Sequence, residues 1–181
     1  MIVVEGPDGA GKTMLVQALA SKFDVPIAPR VVSKDTEVLV DMMAWVHDNV
    51  RAGWQRRIYD RHRLISDPIY RFIIPVKEDD FEFYDYVWLS EQVEIWVKDV
   101  QPIVIFCLPD WPTVLGNLKR EGDRANVDNS VVIPHMAKIY QDYVAAASVW
   151  RLLLGDDFIH HDYTDPLSRE HVMQTLERFL A

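Results

Sequence analysis

The sequence predicts one α/β domain over residues 1–181, with a parallel β-sheet that has helices on both faces. Two observations predict it. Short apolar runs alternate with longer segments in which apolar residues recur at helical spacing. A Gly-rich turn at 6–13 joins the first apolar run to the first of these segments. Strands separated by helices form βαβ units, so the strands run parallel and the helices cover both faces of the sheet.

Strands are expected at about 2–5, 26–32, 57–60, 102–108 and 158–162. The segment 26–32 is expected to be short because it contains prolines. The segment 102–108 is an unbroken apolar run, which is typical of a buried strand in a parallel sheet. It contains Cys107, the single cysteine of the chain, which we expect to be a buried thiol.

Helices are expected at about 12–23, 36–52, 64–74, 86–100, 111–120, 130–154 and 166–180. In the second of these, Val38, Met42 and Trp45 follow the three- and four-residue spacing of a helix face, and Gly53 ends it. In a parallel sheet of this kind, ligands bind beyond the carboxyl ends of the strands.

Composition limits the classes of partner. Hydrophobic residues make up 49% of the chain, and its net charge is −9 with a pI of about 5.0. An acidic surface argues against nucleic-acid partners and against binding to anionic membranes. No apolar run approaches the roughly 20 residues that cross a bilayer. A soluble cytoplasmic protein is therefore expected.

The Gly-rich turn reads Gly-Pro-Asp-Gly-Ala-Gly-Lys-Thr at 6–13 and fits G-x-x-x-x-G-K-[ST], the Walker A phosphate loop (P-loop). The strand before it and the helix after it would gather backbone N–H groups around one point, where the helix dipole also favours phosphate. The fold is therefore expected to be of the P-loop NTPase type, with ATP and Mg²⁺ as cofactors. Lys12 would reach the terminal phosphates, and the Thr13 hydroxyl would ligate Mg²⁺. The expected nucleotide contacts are Gly9, Ala10, Gly11, Lys12, Thr13 and Met14.

A second signal is Asp60-Arg61, directly after the apolar strand at 57–60. An aspartate at that strand end would face the P-loop, where it would hold a Mg²⁺-bound water or orient an acceptor oxygen. Arg61 would bind a phosphate through its planar guanidinium. The alternative interpretation is a surface Asp-Arg pair that opens a turn.

A third signal is the segment 119–124, which places Lys119, Arg120 and Arg124 around a glycine. It suits a mobile lid, at about 117–128, whose arginines stabilise the charge on a transferring phosphoryl group. The alternative is a solvated helix C-terminus, where cations complement the helix dipole. Arg30 is a candidate for the acceptor phosphate, or else a solvated loop arginine.

Several aromatic residues lie on helical patterns and favour the core over a base-stacking role, although Phe72 remains a candidate acceptor contact. They are Trp45, Phe72, Trp88, Tyr140 and Tyr143. His160 and His161 are adjacent in a strand and would point to opposite faces, so we interpret them as structural.

In this order, the P-loop, then Asp60-Arg61-His62 with Ser66 and Tyr70, then the lid resemble the thymidylate kinase and deoxynucleoside kinase superfamily. The short deoxynucleoside monophosphate kinases of bacteriophages are the most similar. The resemblance implies that Asp8 contacts the acceptor sugar or phosphate and that Arg120 and Arg124 are the lid arginines. It also implies a host-cytoplasmic location if the chain is phage-encoded. Thymidylate kinases carry Arg-Glu-Pro-Gly-Gly after the second strand, and here only Pro29-Arg30 resembles it.

The predicted function is transfer of the γ-phosphoryl group of ATP to a deoxynucleoside monophosphate, either dTMP-like or broader. Lys12, Asp60, Arg120 and Arg124 are the expected catalytic residues, and Asp8, Arg30, Arg61 and Phe72 the expected acceptor contacts. The alternative is a deoxynucleoside kinase, in which Asp60 would act as base toward the 5′-hydroxyl. A regulatory GTPase would need an Asn-Lys-x-Asp motif, which the sequence lacks, and a module without turnover stays open. The expected partners are small-molecule nucleotides, with a homodimer as a candidate assembly.

Overall fold

The computed structural model describes residues 1–28, 56–71, 86–122 and 133–180. Within these ranges the sheet has four strands, all parallel, in the order β2-β1-β3-β4. The strands are β1 (Ile2–Glu5), β2 (Ile58–Asp60), β3 (Ile103–Cys107) and β4 (Phe158–His161). The predicted parallel sheet is confirmed, and each of these strands lies within one residue of its predicted bounds.

Strand β1 lies between β2 and β3, and its Ile2 is in register with Ile58 on one side and Ile103 on the other. The chain therefore leaves β1 toward one side and later returns to the other, which opens a crevice at the carboxyl end of β1. Beyond β2, Ile27 forms a single parallel bridge with Ile58, so part of the strand expected at 26–32 is present. Residues 29–32 lie outside the described ranges.

The α-helices follow the predicted pattern. They are α1 (Lys12–Phe23), α2 (Arg63–Arg71), α3 (Tyr86–Val100), α4 (Trp111–Gly122), α5 (Met136–Leu154) and α6 (Pro166–Leu180). The helix expected at 36–52 lies outside the described residues, as does the stretch 72–74 expected to end α2.

The expected helix at 130–154 needs a correction. Residues 133–135 form a short 3₁₀ turn, and the α-helix begins only at Met136. Pro134 lies in that turn, and because proline has no N–H it suits a tight connector at a helix start.

Helices cover both faces of the sheet, as predicted. Side chains alternate between the two faces along a strand. On one face the buried Tyr143 of α5 donates a hydrogen bond to Glu5 and packs edge-on against Phe106. On the other face Ser168 of α6 contacts His161, which is buried, whereas the adjacent His160 is exposed. The two adjacent histidines therefore point to opposite faces of the sheet, as predicted.

The core follows the strands. The residues of β1 and β3 are all buried, and Cys107 is 1% exposed and carries a free thiol. Burial raises the pKa of that thiol to about 12, so it stays neutral and behaves as a small apolar side chain. In the described part of the chain, no helix is both long and apolar enough to cross a membrane.

Candidate active site

The P-loop turns directly beyond the carboxyl end of β1, and its backbone favours glycine at Gly6, Gly9 and Gly11. Gly6 has φ of 139° and lies so close to the neighbouring strand that a Cβ there would be 2.3 Å from the Cys107 carbonyl oxygen. Gly11 has φ of 80° and forms the N-cap of α1. Only glycine adopts these conformations without strain, so the loop can present the N-terminus of α1 to an anion.

Lys12 is the first residue of α1, and its side chain is buried. Its Nζ donates a hydrogen bond to the Pro7 carbonyl oxygen at 2.6 Å and lies 3.9 Å from Oδ1 of Asp8. Burial, and then the nearby charge of Arg61, lower the pKa of Lys12 to about 8. The cation is therefore held over the loop, where incoming phosphate oxygens would restore its preference for the charged form.

Thr13 and Asp60 meet across the site. The Thr13 hydroxyl donates a hydrogen bond to Oδ2 of Asp60 at 3.0 Å, which joins the start of α1 to the end of β2. A hydroxyl and a carboxylate side by side offer the hard oxygen donors that Mg²⁺ prefers. These two residues therefore fit a magnesium ion, and the strand-end aspartate faces the P-loop as the sequence predicted.

Arg61 lies on the other side of Asp8. Its guanidinium donates a hydrogen bond to Oδ1 of Asp8, Tyr70 donates to Oδ2 at 3.1 Å, and Arg61 stacks 4.6 Å from the centre of the Tyr70 ring. Burial raises the pKa of Asp8, but the charges of Arg61 and Lys12 outweigh burial and leave that pKa lowered. Asp8 is therefore an anion shared between two cations, and Arg61 is not the surface residue of the alternative interpretation.

Glu5, the last residue of β1, is fully buried beneath this pair. Its Oε1 accepts hydrogen bonds from the His62 backbone N–H at 2.5 Å and from the Ser66 hydroxyl at 2.9 Å. Its Oε2 accepts one from the Tyr143 hydroxyl at 3.1 Å. Burial raises the pKa of Glu5, while the charge of Arg61 and the hydrogen bonds from His62 and Ser66 oppose that rise. The carboxylate ties β1 to the start of α2 and to α5.

On the β3 side of the P-loop, Asn117 links three segments. Its Nδ2 donates to the Gly9 carbonyl oxygen and to the Tyr163 hydroxyl, each at 2.7 Å, and its Oδ1 accepts from Arg120. The Tyr163 ring lies over Gly11, where an added Cβ would be 3.0 Å away. The exposed Arg120 is thereby connected to the rim of the P-loop.

The structure brings together most of the residues predicted for the site. Lys12 and Arg61 contact Asp8, Thr13 contacts Asp60 beside them, and the backbone of 9–11 forms the loop. The Met14 side chain, by contrast, is 77% exposed. Arg30, Phe72 and Arg124 lie outside the described residues, and their expected roles stay predictions.

The expected lid overlaps a helix in its first part. Asn117 to Gly122 form the last turns of α4, and residues 123–130 lie outside the described ranges. Arg120 donates through Nε to the Gly116 carbonyl oxygen at 3.3 Å, so in this state it lies at a helix end, as the alternative interpretation expected.

Sequence reasoning missed Glu5, Asn117 and Tyr163. The sequence did carry one signal for Glu5. It is an acidic residue directly after the apolar run 2–4, and burial at such a position requires hydrogen-bond or charge partners. Asn117 and Tyr163 carried no local signal, since each is an ordinary polar residue in its segment. Tyr143 was expected in the core and is buried there, but its hydroxyl also holds Glu5.

No protein-family model matches the chain, and a search of curated proteins found no match. Solved structures do match. A deoxyadenosine kinase from M. mycoides with bound dATP aligns with 14% identity and a TM-score of 0.55, over 99% of each chain. The same enzyme with products dCMP and a flexible dCDP gives 15% identity and a TM-score of 0.56, over 98% of this chain and 97% of that chain.

The YorR protein from Bacillus subtilis, in complex with phosphorylated GDP, aligns with 14% identity and a TM-score of 0.59, over 99% of this chain and 98% of that chain. At such identities the similarity shows the fold. The chain therefore has the α/β fold of the deoxynucleoside kinase-like P-loop proteins, as its sequence predicted.

Proposed function

We propose that the chain is an ATP-dependent kinase that transfers the γ-phosphoryl group of ATP to a deoxynucleoside monophosphate. One observation carries the proposal: Lys12 of the P-loop and Arg61 at the end of β2 approach the same carboxylate, Asp8, from two elements. Two cations on either side of one point suit a reaction that brings two phosphate groups together.

The donor side consists of the P-loop, Lys12, Thr13 and Asp60. The loop backbone and Lys12 bind the donor phosphates, while Thr13 and Asp60 hold Mg²⁺, Asp60 through a water. When bound, the ion neutralises charge on the phosphate oxygens. Because this chemistry needs positioning and charge neutralisation, it requires no covalent nucleophile from the protein.

The acceptor side is built around Arg61. Its guanidinium holds the acceptor phosphate, whose oxygen forms the new bond to the γ-phosphorus as the bond to the ADP oxygen breaks. Arg30 and Phe72 complete this side, and Arg120 and Arg124 close over the γ-phosphoryl group in a lid at 117–128 of a single domain. Nucleotides are the partners in this account.

One observation favours a second candidate, a deoxynucleoside kinase. Arg61 is already paired with Asp8 and stacked on Tyr70, so part of its charge is satisfied within the protein. In that case Arg61 would mainly shape the pocket, and Asp60 would take the proton of the 5′-hydroxyl as the new bond forms.

The test is a coupled assay of ADP formation with ATP and Mg²⁺ against matched pairs of each deoxynucleoside and its monophosphate. Faster turnover of the monophosphates supports the first proposal, and faster turnover of the nucleosides overturns it in favour of the second. ADP formation that no acceptor stimulates would contradict both. Omission of Mg²⁺ should abolish the stimulated rate.

A further inference from the structure

The buried carboxylate of Glu5 occupies the point where the main-chain hydrogen bonds between β1 and β2 end. The Arg61 N–H donates to the Val4 carbonyl oxygen at 3.0 Å, which continues the pairing of the two strands. The next N–H, that of His62, donates instead to the Glu5 side chain at 2.5 Å. Successive N–H groups of a regular parallel strand point to opposite sides, so two in a row that reach β1 require a turn at Arg61.

The residue between these two hydrogen bonds has an unusual backbone. Arg61 has φ of 76°, in the left-handed region that residues other than glycine seldom adopt. Such a conformation persists where its surroundings over-determine it. The Val4 carbonyl fixes the peptide before Arg61, and Glu5 fixes the peptide after it.

The consequence is the direction of the Arg61 side chain. From this turn the guanidinium passes over the Tyr70 ring and reaches Asp8 of the P-loop. A residue with ordinary strand backbone would project its side chain elsewhere, since the turn sets the Cα–Cβ direction.

We propose that Glu5 is a positioning residue for the acceptor: by holding the His62 N–H it fixes the turn at Arg61 and so aims the guanidinium at the acceptor phosphate. This inference rests on the proposed function, because it takes Arg61 as the phosphate-binding group. Glu5 itself is fully buried, so in this proposal it acts through Arg61 and not on the substrate directly.

Two substitutions separate hydrogen bonding from charge. Glu5→Leu has a similar volume but no acceptor, so the His62 N–H loses its partner and the KM for the monophosphate should rise about tenfold. Glu5→Gln still offers one oxygen to His62, and its amide can donate to the Tyr143 hydroxyl. It should therefore restore an acceptor KM near that of wild type. The KM for ATP should change little in both variants.

Tyr143→Phe is the matched control. It removes the hydrogen bond to Oε2 and leaves the bond to the His62 N–H in place. It should lower Tm without raising the acceptor KM. If Glu5→Leu raised the KM for ATP and for the acceptor equally, or no more than Tyr143→Phe did, Glu5 would have a purely structural role. If Glu5→Gln behaved like Glu5→Leu, the charge would matter and not the turn.

A double variant tests whether Glu5 acts through Arg61. In an Arg61→Ala background, Glu5→Leu should cause no further rise in acceptor KM, because the side chain that it aims is gone. An additive rise would contradict the proposal. If Glu5→Leu does not fold, Glu5→Asp keeps the charge but is one methylene shorter. A wild-type acceptor KM in that variant would equally contradict it.

An independent readout keeps this inference separate from the proposed function. The NMR resonance of the Arg61 side chain, in protein without nucleotide, should shift further in Glu5→Leu than in Glu5→Gln, which loses only the charge. An unchanged resonance in Glu5→Leu overturns the positioning role even if the wild-type chain phosphorylates no monophosphate. A shifted resonance in a chain that acts only on nucleosides would instead leave the turn established and the proposed acceptor wrong.

Discussion

Arg61 and Arg120 follow the two strands that flank β1, and they differ in burial and in the contacts that hold them. Arg61 follows β2, is mostly buried, and is fixed by Asp8, Tyr70 and an unusual backbone turn. Arg120 lies at the end of α4, which follows β3, is exposed, and bonds to Asn117 and Gly116 of its own helix.

The difference separates a preformed region from an adjustable one. On the β2 side, the Arg61 side chain is already fixed in the folded protein. A ligand that binds it therefore avoids the entropic cost of ordering that side chain. The β3 side keeps an exposed cation near the rim of the P-loop, where a lid would have to move it. We therefore expect substitutions on the β2 side to alter acceptor binding, and those on the β3 side to alter donor binding and turnover.

The largest effect is expected from Lys12, which lies between the two sides. Lys12→Ala removes the cation over the P-loop. It should raise the activation free energy by about 3 kcal/mol, so that kcat/KM falls roughly a hundredfold or more. Tm should fall much less than turnover does, because Asp8 keeps Arg61 as its partner when Lys12 is removed. Steady-state kinetics and thermal melts check this, with Lys22→Ala as control because Lys22 is an exposed lysine of the same helix, paired with Glu177. Near-normal turnover in Lys12→Ala would contradict the assignment of 6–13 as a catalytic P-loop.

Asp60→Asn should come next. The amide keeps the shape of the side chain and its contact with Thr13 but loses the charge, so kcat should fall by roughly a hundredfold while the Kd for ATP changes little. Asp110→Asn is a matched control directly before α4, where Asp110 accepts from the Thr113 N–H and asparagine can do the same. An equal loss of ATP affinity in Asp60→Asn would indicate that Asp60 contributes to nucleotide binding or to the structure and not to the catalytic step.

Arg61→Ala tests the β2 side directly. A charge-assisted hydrogen bond to phosphate contributes roughly 1.5–3 kcal/mol, so the KM for a monophosphate should rise about ten- to a hundredfold and the KM for ATP little. Arg120→Ala should instead lower kcat and leave the KM for the acceptor unchanged. The same pattern of KM changes in both variants would break the division between the two sides.

The smallest effect is expected at the rim. Tyr163→Phe removes the hydroxyl that accepts from Asn117 and leaves the ring over Gly11. Loss of one partly exposed hydrogen bond should raise the KM for ATP only a few-fold, by about 1 kcal/mol or less, and leave the acceptor KM unchanged. A larger change in acceptor KM than in ATP KM would contradict the assignment of this rim to the donor.

The parts of the site also differed in how far the sequence predicted them. The P-loop is contiguous, so its residues carry the whole signal within 6–13, and Asp60-Arg61 could be placed because it directly follows a strand. Glu5 and Tyr143 are 138 residues apart, and Asn117 and Gly9 are 108 apart. No local pattern encodes such contacts, because they exist only once the parallel sheet has brought the strand ends to one edge.

The ends of strands and helices were predicted best where the local sequence pattern is clear. Strands and helices with clear periodicity, such as those at 2–5, 12–23 and 166–180, were predicted to the residue. The start of α5 was missed because the apolar pattern around 130–135 is compatible with either helix type, and the choice there follows from Pro134. The turn at Arg61 was not predicted either, because arginine has no preference for a left-handed backbone. The surrounding fold imposes that conformation.

The most direct test of the account offers both acceptors at once. Wild-type protein is given ATP labelled in the γ-phosphate, Mg²⁺, and equal concentrations of a deoxynucleoside and its monophosphate, and the labelled products are separated. We expect the label mainly in the deoxynucleoside diphosphate, and we expect Arg61→Ala to reduce this product selectively. Label that appears mainly in the monophosphate, in wild type and Arg61→Ala alike, would contradict the proposed function.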